Sequence, residues 1–401
     1  MVRIRQSRMS NETHPRPARR RQASLAVRDL RGGMQLAFDT VRAAIGGAER
    51  LHQRVADISP PVRGVRVGRP TTGWPAVAYR GLRGTADFVG GSLDLALASV
   101  QASLQDPARE RSPRRPLPAR ETVAAALNAV AGDHLSRTGN PLAIATAIRQ
   151  GGVLPQARVL LLVHDLGLND LQWRQGRHDH GEALAAALGC TPLYATYNSG
   201  RHVWAVAREL ATELEGLLAR WPVPVEGLAL VGHGLGGLVV RSAVHQAQRS
   251  GLAWPAHLKH LVFLGTPWLG ALSPRDLDPL TLATLRPLAA LLPAATFAGL
   301  RSEGMDDFLA GRWLDPELPP EQAAAMSDPL PPGVQACAVA GASGDGKGDG
   351  IVAIGSALAR GEGPQPMTFG EGHAFTADGV DHRGLLRSEA VLQAMRRWLS
   401  A

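Results

Sequence analysis

The residues Val231-Gly232-His233-Gly234-Leu235-Gly236-Gly237 leave an apolar run and enter a helical pattern over 238–247. Two chemistries use a strand, a glycine turn and a helix in that order. A pyrophosphate can sit on such a turn at a helix N-terminus, and Gly232, Gly234 and Gly237 match G-x-G-x-x-G literally. That chemistry needs an acidic residue about 20 positions later for the ribose hydroxyls. None occurs between Glu226 and Asp276, so a dinucleotide-binding protein is a minor alternative. The other chemistry is the nucleophile elbow, G-x-S-x-G, which holds a hydroxyl at the top of a sheet. Here position 234, where the serine belongs, is glycine. An acid and then a histidine are expected further along the chain. Asp349, in Gly348-Asp349-Gly350-Ile351-Val352, and His382, after Asp381, fall in that order. Asp349 is expected to hold one imidazole nitrogen of His382, leaving the other to take a proton from a nucleophile.

Elements able to position these groups are legible after Gly152. The apolar runs 159–163, 193–197, 228–231, 261–264 and 336–340 alternate with helical segments. Continuous apolar runs between helices predict a mostly parallel sheet covered on both faces. The run 159–163 ends in His164-Asp165-Leu166-Gly167, where an oxyanion loop is expected. A further helix is predicted over 385–399. Between about 270 and 332 the alternation stops, and a Leu-, Ala- and Pro-rich segment with Trp268 and Trp313 near its ends predicts an inserted helical cap.

These pieces together resemble the α/β-hydrolases, and among them the lipase-class serine hydrolases similar to GPI inositol-deacylase. The resemblance rests on VHDLGLNDLQW (163–173), DHGEALAAALGCTPLYATYNSG (179–200), LALVGHGLGGLVVRSA (228–243), LVFLGTPWLG (261–270), GDGIV (348–352) and DHRGLL (381–386). It covers roughly 155–401 and implies an α/β-hydrolase fold and acyl transfer to water. It also implies that Leu166 and Leu235 N–H groups serve as oxyanion donors. Two positions depart from it. Gly234 removes the nucleophile, and Asp165 replaces the glycine usual in the oxyanion loop, where a carboxylate repels a developing oxyanion. The expectation is a hydrolase-fold protein without hydrolytic activity, a pseudoenzyme with a binding or scaffold role. The alternative is an active ester or lipid hydrolase using activated water or a relocated nucleophile, with Ser199 and Ser356 as the candidates. Restoring serine at 234 is expected to cost little stability.

Other residues have plainer readings. His164 reads as a loop-orienting residue. His178-Asp179-His180 has metal-like spacing, but Asp179 serves better as the cap of a helix beginning at Gly181. Residues 341–348 resemble a phosphate loop, yet Gly348 stands where Ser or Thr would bind Mg²⁺. No cofactor or metal is expected.

The 401 residues are 45% hydrophobic and 19% charged, which excludes wholesale disorder. Two cysteines, Cys190 and Cys337, exclude a disulfide framework and a Cys-rich zinc module. The net charge of +8 is unevenly placed: residues 1–120 carry 22 Arg against 9 acidic side chains. With Lys259 and Lys347 the only lysines, arginine bias runs through the chain. The division expected is a basic disordered arm (1–31), an N-terminal helical region (32–150) with a Pro/Arg linker near 111–120, and the hydrolase domain (151–401). That bias makes a solvated tail the first reading of the arm, with an anionic membrane surface as the alternative partner and nucleic acid not favoured. An ester or lipid-like small molecule is the expected ligand. No secretory signal is legible, which gives a cytoplasmic, peripherally membrane-associated expectation.

Overall fold

The computed structural model describes residues 26–37, 39, 118–176, 178–271, 302–315, 330–344, 346–361 and 367–400. The chain divides into two compact units, one of Met1–Arg115 with Asn140–Leu142, and one of Pro116–Gly139 with Ala143–Ala401. In the first unit the described residues form a helix over 26–37. The last six residues of the arm read as disordered, 26–31, are therefore helical. Ala, Leu and Arg are all strong helix formers, and charge alone does not prevent a helix. The rest of the arm, most of the 32–117 region and residues 111–117 of the linker lie outside the described residues; the last three residues of the expected linker, 118–120, are helical.

The second unit begins at Pro116, not at 151, because helix α1 (Pro118–Arg137) belongs to it. Proline suits the first turn of α1, where its missing N–H costs nothing. The strands are β1 (Ala147–Gln150), β2 (Arg158–Val163), the short pair β3 (Arg174–Gln175) and β4 (His178–Asp179), β5 (Cys190–Thr196), β6 (Gly227–His233), β7 (Leu258–Leu264), β8 (Gln335–Ala342) and β9 (Ala374–Asp378). Seven of them form one sheet in the order β1-β5-β2-β6-β7-β8-β9. Within this sheet β1 pairs antiparallel with β5, and every other pairing is parallel. All five predicted runs are strands of this sheet. The two edge strands, β1 and β9, were not predicted.

Alternation along β2 shows how the sheet is covered. Val159, Leu161 and Val163 face α3 (Val203–Leu218) and α4 (Leu235–Arg249), joining one buried cluster. Leu160 and Leu162 face α2 (His180–Leu188) and the C-terminal α7 (Glu389–Ser400) on the other side. Period-two side-chain direction thus supplies two cores from one run of Leu and Val. The C-terminal helix starts at Glu389, after a short 3₁₀ turn at Gly384–Leu386, and not at Leu385. Of the expected cap, α5 (Glu303–Ala310) and the buried Trp313 are described; most of its remainder lies outside the described residues. Among the described residues, no helix is long and apolar enough to cross a membrane.

From β2 the chain first adds β5 on one side and then β6 on the other. The carboxyl ends of β2 and β6 therefore flank a topological switch point, where open α/β sheets place their ligands. His164-Asp165 follows β2 and Gly234 follows β6.

Candidate active site

Gly234 joins β6 to α4 with φ 52° and ψ −121°. An L side chain is strained at that φ, so glycine is comfortable here. The turn is held by Gly234 N–H donating to Leu264 O and Gly237 N–H to Gly234 O. Close approach requires the flanking glycines. A Cβ on Gly232 would lie 2.5 Å from the Gly237 Cα, and one on Gly236 would overlap Val163 O and His164 O. The G-x-G-x-x-G spacing is accounted for by this packing of a helix start against two strand ends.

Asp349 and His382 meet as expected. His382 Nδ1–H donates to Asp349 Oδ2 at 2.6 Å. Asp349 Oδ1 accepts from the N–H groups of Ile351 and Val352, and His382 N–H donates to Asp349 O, fixing both side chains. Ile354 follows at the start of α6 (Ile354–Ala357).

The carboxylate of Asp165 occupies the place the sequence left empty. A Cβ on Gly234 would overlap Asp165 Oδ1 and Cγ and lie 2.7 Å from Oδ2. Oδ1 accepts the Leu235 N–H at 2.6 Å, and Oδ2 accepts from His382 Nε2 at 3.0 Å. The two departures therefore form one interlocked arrangement. Gly234 is the only residue that leaves room for Asp165, and Asp165 takes both the elbow amide and the free imidazole nitrogen. The expectation that Gly234→Ser costs little is corrected. The sequence could not show this because the two positions lie 69 residues apart on neighbouring strands.

The result is a buried chain, carboxylate–imidazole–carboxylate. Burial pushes the His382 pKa down, but the Asp349 charge and hydrogen bonds from both carboxylates outweigh it and raise it to about 10. Burial likewise pushes Asp165 up, and the hydrogen bond and charge of His382 overcome this and hold it below the usual value. His382 is thus an imidazolium at neutral pH, and Asp165 an anion.

His164 is fixed beside Asp165. Its Nδ1–H donates to Asp165 O, its ring stacks on Tyr197 with centroids 4.1 Å apart, and Tyr197 O–H donates to His164 O. Burial holds its pKa down to about 4. Leu166, which follows Asp165, is partly buried against the core on the α3–α4 side. Ser199 and Ser356 are occupied elsewhere: Ser199 Oγ accepts the Gly167 N–H, and Ser356 Oγ donates to Gly270 O and accepts from Leu269 N–H. Asp179 caps α2, which begins one residue earlier than expected, at His180.

His233 is a site residue that sequence reasoning missed. It is fully buried, donates Nε2–H to His382 O, and stands with its ring 4.5 Å from that of His382. Asp165, His233 and His382 each bring one donor atom within 4.8 Å of the others, a set able to hold a metal ion. Two of the three already satisfy one another through the Asp165–His382 bond. Position x of the elbow, directly before Gly234, is the signal that marks His233.

These directions fix the pH dependence of stability. His382, raised from 6.5 to about 10, contributes stability that is complete below pH 6.5 and lost as pH rises toward 10. His164 and His233 are each lowered to about 4. They are buried neutral, so stability is lost as pH falls from 6.5 toward 4. Asp165, lowered from 3.8, adds a loss only in stronger acid. Thermal melts are expected to decline on both sides of neutrality, and His382→Gln should flatten the alkaline decline. An unchanged alkaline limb in that variant would contradict the assignment.

Strand order, crossover pattern, elbow and the acid–base order Asp349, His382 now stand together. The architecture is an α/β-hydrolase fold. No family model matches the sequence, and comparison with curated proteins gives no match. Similar solved structures include the mature Bacillus licheniformis lipase BlEst2, at 16% identity over 64% of this chain and 98% of that one, with a TM-score of 0.43. A lipase-esterase related protein from Clostridium acetobutylicum is 12% identical over 64% of this chain and 100% of its own, with a TM-score of 0.39. The thioesterase RedJ from the Streptomyces coelicolor prodiginine pathway is 17% identical over 62% and 94%, at 0.37. Likeness of this size carries nothing about activity, and the fold assignment rests on the topology above.

Proposed function

We propose that this chain is a lipase/esterase-class hydrolase-fold protein, of the GPI inositol-deacylase-like kind, that performs no serine acyl transfer. Its role in this reading is binding or scaffolding. One observation carries it: the Asp165 carboxylate sits in the space of the nucleophile side chain and takes both the elbow amide and His382 Nε2. Water activated by His382 is disfavoured as well, because an imidazolium held between two carboxylates has no lone pair to accept a proton. An ester- or lipid-like ligand and, through the arginine-rich arm, an anionic membrane surface are the partners we propose.

The unmodified protein is expected to show neither hydrolysis of short-chain esters nor labelling by a fluorophosphonate probe. Robust ester hydrolysis that His382→Ala abolishes would refute this and return attention to Ser199 and Ser356.

A further inference from the structure

We propose that the amino edge of the sheet, opposite the Asp165 site, binds a phosphate group carrying two negative charges. Arg158 is the first residue of β2. Leu160 and Leu162 share its strand face, so its side chain leaves the sheet toward α2 and α7. There one guanidinium N–H donates to Leu399 O, and the remaining donors are left for a ligand. The position paired with it on β6 is Gly227. A Cβ at Gly227 would touch only Lys259 Cγ, at 3.7 Å, so the space beside Arg158 is open.

β7 closes the other side of this space with an irregularity. Leu228 pairs with Leu258, but Ala229 pairs with His260, which makes Lys259 the extra residue of a bulge. Leu258 and Leu261 both join the core on the α3–α4 side, and the two residues between them line the groove on the opposite face. Bulges are uncommon between parallel strands, and this one brings a second cation beside Arg158. Gln335, the first residue of β8, extends the wall. The groove measures about 340 Å³, with the exposed Glu226 also on its lining.

The cations here have no counter-charge of their own. Among the described residues, no carboxylate lies within ion-pair distance of Arg158, Lys259, His260 or His373. Burial lowers the His260 pKa, and the charges of Arg158, His373 and Lys259 lower it further, so all three act on one point of the wall. Arg158 and Lys259 carry two permanent charges, the number on a phosphate monoester near neutral pH. Arginine offers its planar fork to the phosphate oxygens and lysine a point charge, while neutral His260 and Gln335 supply uncharged donors. A carboxylate ligand would match only one of the two charges.

The full-length protein is titrated calorimetrically with phenyl phosphate near neutral pH, and thermal melts confirm that each variant is folded. Saturable one-to-one binding is expected. Phenylacetate, a singly charged analogue, should bind about tenfold more weakly or worse. Arg158→Gln should weaken phenyl phosphate binding by about 10–100-fold. Gly227→Val keeps every charge, suits a strand and fills the open space, so it should abolish binding. Arg174→Gln removes an equal charge elsewhere on the surface and should leave binding unchanged. If Arg158→Gln fails to fold, Gly227→Val decides. No saturable binding overturns the proposal, as does full binding by Gly227→Val, equal weakening by Arg174→Gln, or equal affinity for phenylacetate. Phosphatidylcholine vesicles with and without phosphatidic acid separate the two sources of such a phosphate. Loss of phosphatidic acid binding in Gly227→Val assigns the site to a lipid headgroup, and unchanged vesicle binding beside lost phenyl phosphate assigns it to a soluble ester.

Discussion

Gly234→Ser introduced alone is expected to destabilise the protein and leave it unlabelled by a fluorophosphonate probe. The new Cβ must overlap the Asp165 carboxylate, an overpacking that costs about 1–3 kcal/mol. Serine at φ 52° adds strain of roughly 1–3 kcal/mol. Asp165 is buried and tied at both oxygens, so it cannot step aside cheaply. The double variant Gly234→Ser with Asp165→Gly removes the overlap and frees the Leu235 N–H. It also returns His382 to a single carboxylate, so its pKa falls and its Nε2 can accept the serine proton. Most of the stability should return, and labelling should appear. Thermal melts and probe labelling of the two variants side by side check this. Equal labelling of the single and double variants would show that Asp165 does not block the elbow.

The second large effect concerns one substitution at two glycines. Gly236→Ala drives a Cβ into Val163 O and His164 O, backbone atoms at the end of β2 that no rotamer change can move. The start of α4 must then part from the strand that carries Asp165. A loss of about 3 kcal/mol or more is expected. Gly216→Ala, within α3, meets only the flexible end of Arg220 at 3.6 Å. It should be neutral or stabilising by up to ~1 kcal/mol, because alanine is the better helix former. Urea denaturation of both variants measures the contrast. A mild Gly236→Ala would mean that α4 does not depend on this close approach.

The five buried strands were legible because each is a continuous apolar run, the signature of a strand covered on both faces. The edge strands lack that signature. β1 (Ala147–Gln150) is four residues with an exposed or half-exposed pattern, and β9 (Ala374–Asp378) is mostly half-buried. An edge strand buries too little to imprint a pattern. The Asp349–His382 pair was legible from chain order, since each motif is local. The partnership of Asp165 with Gly234 was not, because it is a contact through space between two loops. Read separately, each residue is a loss; placed together, one fills the void the other creates. His233 escaped notice for a related reason, since a histidine before an elbow acquires meaning only from the ring it faces.

The interlock of Asp165 with Gly234 also constrains how the site can change. A side chain at 234 and the carboxylate of Asp165 claim the same space, so neither position can be exchanged for a larger residue while the other stays as it is. Removing Asp165 alone would leave the Leu235 amide and His382 Nε2 without their acceptor. The pair behaves as a latch, and the two positions can be varied only together.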